Sequence, residues 1–457
     1  MKTNSIKSLL ATLAALLTLG ACDTSSDSSY EPSRDCAITA VSLGSLKRVL
    51  HTTSSEGKDS TYTVAVTGSL YPMYIDQLEN HIFNADSLPK GTDLSRVVFA
   101  TFNVKNGAYI KSLYSGNDTI FSLKDSTDFT RPRVITAVSE DGLSRREYTL
   151  ELRVHREEGE TFAWQPVAEG TQLPAASFVE SKAICLGQSL YVFGALAGGE
   201  TQVVTTSTLS PNFESAAALP LYNGAPVDVR SIVLKDNSFY ALAGGQLVKA
   251  SQALDAWTAP ATALRFDALV SAHADSLYAL SAGRLMASAQ GTEWVECATD
   301  APAQLPTSDI AAASLPTRTN QNLVSTLMVG LLNSQATVWR HDTDTEGAFS
   351  YPWMWLPQTD ELDKLACPAL ERACMAVYDD AFVLVGTPLG ETAPKVYTSR
   401  DFGRTWKAGE LEFPSLEGAT AVTIAIDPQQ YCWVVCSGTG RVLKGRINRL
   451  GWLRNAN

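Results

Sequence analysis

Apolar and polar residues alternate in short runs along most of the chain, and turn-forming residues separate the runs. Residues 61–66 place apolar side chains at every second position, which is the period of a strand with one buried face. Residues 133–138 are a further strand candidate. The Ser-Glu-Asp-Gly stretch at 139–142 is a typical turn signal before the next run. The pattern predicts an all-β protein.

Residues 36–155 contain several such strands within one segment of domain size. Roughly 100 residues with this pattern are typical of an immunoglobulin-like β-sandwich. A charged stretch at 157–160 has nothing apolar to bury, and we interpret it as a linker. We therefore predict an Ig-like β-sandwich over residues 36–155 and a second domain over residues 156–457.

The second domain contains an internal repeat. Six segments each show an apolar strand, a polar turn, a second apolar strand, a third strand and a turn into an aromatic residue. We place the fourth strands near these aromatics: Phe213, Trp257, Trp294, Trp355, Trp406 and Trp452. Their spacing brackets the roughly 40–50 residues of a propeller blade. We therefore predict a six-bladed β-propeller, in which Trp164 belongs either to a strand that closes the ring or to a seventh blade.

The N-terminus has the features of a secretion signal. Residues 1–21 contain Lys2 and Lys7 and then an apolar run that is too short to cross a bilayer. The run ends in Leu-Gly-Ala-Cys, which resembles a bacterial lipobox and makes Cys22 the predicted lipidation site. The polar residues 22–35 form a predicted flexible tether. We expect a lipoprotein anchored in the bacterial outer membrane and exposed at the cell surface.

Charge excludes one class of partner. The formal net charge is −12, whereas nucleic-acid binding requires a basic face. We expect a membrane contact through the lipid on Cys22 and a glycan or an envelope protein as ligand, and no nucleic acid.

Cysteine and histidine positions give little support for cofactor chemistry. No CxxC pair occurs and the five histidines are scattered, so we expect no metal and no cofactor. Cys367 and Cys374 are close enough in sequence to close a disulfide loop in an oxidising compartment.

The candidate ligand site is one mouth of the propeller channel. The residues just before each innermost strand are predicted to surround this mouth, and mixed charges on a concave surface suit a polar ligand. They are Lys182, Arg230, Asp267, Asp309, Arg372 (with Glu371) and Thr420. The alternative is that these charged side chains are only solvated at the end of the propeller and bind no ligand.

A second candidate lies in the longest insertion between repeats. Tyr351 and Trp353 are the aromatics there that the repeat does not require. If exposed, they would stack on sugar rings or anchor a protein interface.

The stretch Ser-Arg-Asp-Phe-Gly-Arg-Thr-Trp at 399–406 fits the Asp-box pattern S-x-D-x-G-x-T-W. We predict structural roles for Ser399, Asp401, Gly403, Thr405 and Trp406, with no catalytic residue among them. The box resembles those of sialidases, but the arginine cluster and the Tyr–Glu pair of a sialidase are not recognisable. A glycoside hydrolase, with Asp267 and Asp309 as its carboxylates, is the alternative to a non-enzymatic binding module. A structural subunit of an envelope complex is a third possibility.

Several motifs together resemble an uncharacterised family of Bacteroidales-type lipoproteins. The motifs are Ile-Asp-Gln-Leu at 75–78, Phe-Asn-Ala-Asp-Ser-Leu-Pro at 83–89, Gly-Thr-Asp at 91–93 and the Tyr-Thr-Leu-Glu-Leu ending at 148–152. The resemblance implies an Ig-like N-terminal domain and a six-bladed propeller of the kelch or Asp-box kind. It implies no activity and no catalytic residues.

Overall fold

The computed structural model describes residues 31–54, 57–273, 276–317, 319–344, 346, 350–358 and 364–452. The predicted signal peptide, Cys22 and most of the predicted tether lie outside these residues. The described residues divide into two compact units, 31–157 and 158–452. Within the described ranges, no helix has both the length and the apolar character needed to span a membrane.

The first unit consists of strands and two short 3-10 turns, Gly68–Leu70 and Leu94–Arg96. Its strands are β1 (Ala40–Leu43), β2 (Ser45–Thr53), β3 (Asp59–Thr67), β4 (Met73–Asp76), β5 (His81–Asn84), β6 (Phe99–Asn103), β7 (Gly107–Lys111), β8 (Asp118–Ile120), β9 (Arg133–Val138) and β10 (Arg145–Glu151). A six-stranded sheet has the order β4-β5-β10-β9-β7-β8, while β1 pairs with β6 and β2 with β3. One hydrophobic core lies within this unit and contains Ile38, Ile135 and Leu150, all fully buried.

The second unit consists of six antiparallel sheets within the described residues. The first contains β12 (Phe178–Leu186), β13 (Ser189–Leu196), β14 (Thr201–Ser207) and β15 (Ala217–Ala218), and the second contains β16 (Val227–Lys235), β17 (Ser238–Ala243) and β18 (Gln246–Ala250). The third contains β19 (Ala268–His273), β20 (Ser276–Ser281), β21 (Arg284–Ser288) and β22 (Val295–Glu296), and the fourth contains β23 (Ser308–Pro316), β24 (Leu323–Leu332), β25 (Gln335–Asp344) and β26 (Met354–Trp355). The fifth contains β27 (Leu370–Tyr378), β28 (Ala381–Pro388), β29 (Lys395–Ser399) and β30 (Lys407–Ala408). The sixth contains β31 (Ala421–Ile426), β32 (Cys432–Ser437), β33 (Arg441–Ile447) and β11 (Phe162–Ala168). Short 3-10 turns occur at Pro174–Ser177, Pro302–Gln304 and Asn448–Gly451.

The first strands of the six sheets form a closed ring. In chain order β12, β16, β19, β23, β27 and β31 each contact the next, and β31 contacts β12. We call these six the inner strands, and the space between them the channel. A separate hydrophobic cluster fills each of the six gaps between successive sheets. The ring is therefore held together by apolar packing between faces of neighbouring sheets.

The strand that contains Trp164 pairs with the last sheet. In this antiparallel pairing Trp164 lies opposite Gly445, and Phe162 lies opposite Ile447. A side chain at Gly445 would place its Cβ 2.4 Å from the Trp164 ring, so the glycine lets the indole lie flat on β33. The expectation of a fourth strand near Trp452 is wrong, because β11 occupies that position and Trp452 follows the turn Asn448–Gly451.

The described cysteines all carry free thiols. The disulfide between Cys367 and Cys374 that the sequence permitted is therefore not formed. Burial raises the pKa of both Cys185, to about 12, and Cys297, to about 11, as expected for thiols that pack as small apolar groups.

Candidate functional site

Irregular pairing marks the beginning of most inner strands. The register with the second strand shifts near Asp228 in β16, near Asp309 in β23 and near Arg372 in β27. Asp309 and Arg372 also have left-handed backbones, with φ of 51° and 52°, which is uncommon for residues other than glycine. Such β-bulges re-aim side chains, and here the re-aimed residues lie at one end of the channel. We call this end the mouth.

Arg230 and Asp309 form an ion pair across the mouth. The Nη1 of Arg230 lies 2.9 Å from Oδ1 of Asp309, and both side chains are mostly buried. The same oxygen accepts a hydrogen bond from the backbone N–H of Arg372 at 2.7 Å. One carboxylate thus connects the second, fourth and fifth sheets.

Two further hydrogen bonds extend this network. The Nη1 of Arg372 donates to the carbonyl oxygen of Thr420 at 2.8 Å, and Nζ of Lys182 donates to the carbonyl oxygen of Arg230 at 2.8 Å. The network therefore links five of the six sheets. Thr420 takes part through its backbone, so its side chain is not needed for this contact.

A pocket of about 270 Å³, here called the outer pocket, lies at the mouth between the first four sheets. Its charged lining residues are Glu180, Asp228, Arg230, Asp267 and Asp309. Asp267 is exposed. Glu180 and Asp228 were not among the predicted site residues, because the bulges that carry them into the mouth leave no clear signal in the apolar pattern. Arg372, predicted for the same mouth, does not line this pocket but the cavity beside it.

The cavity that Arg372 lines, here called the narrow cavity, has a volume of about 60 Å³. It lies deeper in the channel than the outer pocket. Lys182, Arg230 and Arg372 line it together with Glu180 and several alanines. Burial lowers the pKa of Lys182 to about 8, with Arg230 acting in the same direction, while Cys374 and Asp228 partly oppose the shift.

Trp353 lies in the core, which corrects the expectation that it is exposed. Its side chain is fully buried and stacks on His341 with ring centroids 4.9 Å apart. Burial lowers the pKa of His341 to about 4. Tyr351 is about half exposed, at 52%. The two aromatics of this insertion therefore do not form one surface, and Trp353 offers no face to a ligand.

Residues 399–406 form a hydrogen-bonded turn between β29 and β30. Oδ1 of Asp401 accepts from the Thr405 N–H at 2.9 Å and its Oδ2 from the Thr405 hydroxyl at 2.6 Å. The Ser399 hydroxyl donates to Asp401 and accepts from the Gly403 N–H. Gly403 has φ of +87° and Trp406 is buried between the fourth and fifth sheets. All five predicted residues thus have a structural contact here.

No group of three or more histidine, cysteine or acidic side chains suited to a metal ion occurs in the part of the chain that the structure describes.

Comparison with known protein families identifies the chain. Residues 158–455 match the DUF6242 beta propeller domain, and residues 41–152 match the DUF6242 N-terminal domain, a domain of unknown function. The chain therefore belongs to the DUF6242 family, and the prediction of an all-β protein with a β-propeller is confirmed. No curated protein sequence matches it.

Several solved structures resemble the chain at low identity. Regucalcin, a calcium-binding protein from Agrobacterium tumefaciens, is 8% identical with a TM-score of 0.40, over 61% of this chain and 93% of its own. An α-L-arabinofuranosidase from Podospora anserina is 11% identical with a TM-score of 0.34, over 63% and 97%. A carbohydrate-active enzyme of family AA12 from Trichoderma reesei is 8% identical with a TM-score of 0.39, over 62% and 96%. Similarity at this level gives no information about activity.

Proposed function

We propose that this protein is a lipid-anchored, non-enzymatic binding module that presents the mouth of a six-bladed propeller to a glycan. The six sheets and their closed ring of inner strands support the blade count. The pairing of β11 with β33 supports closure of the ring by the N-terminal strand rather than a seventh blade.

The N-terminal part of the proposal rests on the sequence. The lipobox-like Leu-Gly-Ala-Cys supports Cys22 as the acylation site, and the polar residues after it would hold the body away from the membrane. We infer that the first unit is an Ig-like sandwich that acts as a spacer at the outer surface. Mass spectrometry of the N-terminal peptide would detect a lipid on Cys22, and protease treatment of intact cells would test surface exposure.

The outer pocket is the observation that carries the binding proposal. Three of its carboxylates, on Glu180, Asp228 and Asp267, take part in no ion pair among the described residues. Carboxylates are strong hydrogen-bond acceptors for hydroxyl groups. A pocket of about 270 Å³ is a better match for a ligand of one sugar unit than for the surface of a protein ligand. A hydroxyl-rich ligand therefore fits this lining.

The hydrogen bonds that Asp309 accepts favour a binding role for the mouth over hydrolysis. Its Oδ1 already accepts hydrogen bonds from Arg230 and from the Arg372 N–H. These contacts hold Oδ1 within the mouth network, so this oxygen is not available to a sugar. Hydrolysis with Asp267 and Asp309 stays a prediction, which product release from a bound glycan would support.

A glycan array tests the proposal directly. We expect the full-length chain to bind a small set of related glycans, with binding lost in Asp267→Ala and retained in Glu296→Gln, an exposed residue on β22. A blank array would contradict glycan binding. Recovery of a specific protein from envelope extracts would then favour the structural-subunit hypothesis.

A further inference from the structure

Three cationic side chains converge on the narrow cavity. Lys182 on β12, Arg230 on β16 and Arg372 on β27 all line it. Glu180 is the only acidic residue that the described part of the chain contributes to this lining. The carboxylate that pairs with Arg230, that of Asp309, lines the outer pocket instead. The walls of the narrow cavity therefore carry more positive than negative charge.

Two of these cations have no carboxylate partner. Within the described ranges Lys182 and Arg372 form no ion pair, and their side chains donate only to the carbonyl oxygens of Arg230 and Thr420. An ammonium group can donate three hydrogen bonds and a guanidinium five. Nη2 of Arg230 is also buried and has no hydrogen-bond partner among the described residues. Unsatisfied charged donors are costly to bury, and a bound anion is one arrangement that satisfies them.

The pKa of Lys182 points in the same direction. Burial lowers it to about 8, and Cys374 and Asp228 oppose this shift only in part. An opposite charge in direct contact would favour the protonated form and raise the pKa, so the ammonium group lacks a close counterion. The protonated form still predominates at pH 7, and an anion in the cavity would provide that counterion.

The acidic neighbour restricts where an anion can lie. Glu180 also lines the outer pocket, so it occupies the side of the narrow cavity that faces the mouth. The fifth and sixth sheets line the other side with Arg372 and with small or apolar residues, and the described residues place no acidic side chain there. Arg372 is exposed, which gives a small ion a charged route from solvent into the cavity.

The volume of the cavity limits the size of the ligand. About 60 Å³ accommodates roughly four to six water-sized positions, which is enough for an ion of three or four heavy atoms and too little for a sugar ring. Ammonium and guanidinium donors on different strands suit an oxyanion, because each of its oxygens accepts hydrogen bonds. An acid group on a sugar in the outer pocket would lie beside Glu180, Asp228 and Asp267, so a free ion is favoured.

We propose that the narrow cavity binds a small, free, monovalent oxyanion of the formate or nitrate type, held by Lys182, Arg230 and Arg372. A single charge fits because Glu180 and Asp309 already offset part of the positive charge. The site is separate from the outer pocket, and the inference does not rest on glycan binding there. Since Arg230 lines both spaces, the anion would also stabilise the polar network at the mouth.

Saturation-transfer NMR of the full-length chain tests this site with formate, whose single C–H proton reports binding. Formamide has the same number of heavy atoms and lacks the charge. We expect formate to bind at least tenfold more tightly than formamide, because charge-assisted hydrogen bonds are the stronger ones. Nitrate, which has no proton to observe, should displace formate. All titrations are made at one ionic strength, so that screening of charges is constant.

Variants assign the binding to the narrow cavity. Lys182→Met keeps the aliphatic stem and should weaken formate binding about tenfold. Lys407→Met is the matched control on the exposed β30 and should leave the affinity unchanged. Ala312→Leu fills part of the cavity while all three cations remain, so it should also weaken formate binding. It gives a second test if Lys182→Met does not fold.

The opposing results are equally specific. Equal affinity for formate and formamide, or unchanged affinity for formate in a folded Lys182→Met variant, would overturn the anion site. Formate binding that nitrate does not displace would contradict the oxyanion class. An array hit without formate binding would remove the anion site alone, and formate binding with a blank array would remove only the glycan proposal.

Discussion

Arg230 and Asp309 belong to sheets that are not neighbours in the ring, yet their side chains meet at 2.9 Å across the mouth. The third sheet lies between their sheets in chain order. Because the same Asp309 oxygen accepts the Arg372 N–H, this carboxylate also supports the bulge at the beginning of β27. The mouth is therefore a connected polar structure, in which a ligand meets fixed groups rather than independent side chains.

We predict that Asp309→Ala destabilises the propeller. The substitution leaves the mostly buried Arg230 and the Arg372 N–H without their acceptor, which should lower the free energy of unfolding by about 1–3 kcal/mol. Urea unfolding followed by tryptophan fluorescence measures the change. The matched control is Glu296→Ala, which breaks the exposed pair with Arg284 and should cost less than about 1 kcal/mol. Equal effects of the two substitutions would show that the ion pair across the mouth has no special role.

We predict unequal effects on stability for Tyr351 and Trp353, the two aromatics of the segment between β25 and β26. Trp353→Ala removes a fully buried indole that packs on His341 and Tyr278, so it should cost about 3–5 kcal/mol of unfolding free energy. Tyr351→Ala affects a half-exposed ring and should cost less than about 1 kcal/mol. Thermal unfolding of the two variants provides the comparison, and a more severe Tyr351 effect would contradict the assignment of Trp353 to the core.

We predict that His341 makes the propeller sensitive to acid. Burial holds its pKa at about 4, below the ordinary value of 6.5, so the unfolded chain binds this proton more readily than the folded protein. Stability is then fully present above about pH 6.5 and falls as the pH drops towards 4, by up to about 3 kcal/mol. Unfolding free energies measured between pH 7 and pH 4 should show this slope in wild type and a weaker slope in His341→Phe. Replacement of the exposed His51 by Asn should leave the slope unchanged, and an equal slope in wild type and His341→Phe would exclude this origin.

We predict that Gly445→Ala weakens closure of the ring. A Cβ at this position would lie 2.4 Å from the Trp164 indole, so β11 must shift away from β33. Overpacking of this kind costs about 1–3 kcal/mol, which denaturant unfolding would measure. Gly198→Ala is the control, because its nearest contact would be a Glu200 side-chain atom at 3.4 Å, and its effect should be within about 0.5 kcal/mol. Equal stability of the two variants would argue against tight packing of Trp164 on β33.

The repeat could be predicted from the sequence, but the β-bulges within it could not. Apolar strands separated by turns located each inner strand, because the burial pattern within a blade repeats along the chain. The bulges near Asp228, Asp309 and Arg372 depend on contacts with other sheets, and the local pattern therefore does not predict them. Glu180 was missed for the same reason.

Aromatic residues misled the interpretation at two positions. Trp452 follows the sixth repeat at the expected spacing. The fourth strand of the sixth sheet is nevertheless β11, which comes from the other end of the domain. Trp353 lies outside the repeated pattern, but packing between the third and fourth sheets buries it. Both outcomes depend on long-range pairing, which spacing alone does not report.

The most direct test of the proposed binding function is the equilibrium affinity of the full-length chain for a glycan identified on the array. We expect measurable binding that Asp267→Ala reduces at least tenfold and that Glu296→Gln leaves unchanged. Equal affinity in wild type and Asp267→Ala would place the ligand elsewhere. The absence of any glycan ligand would contradict the proposed function.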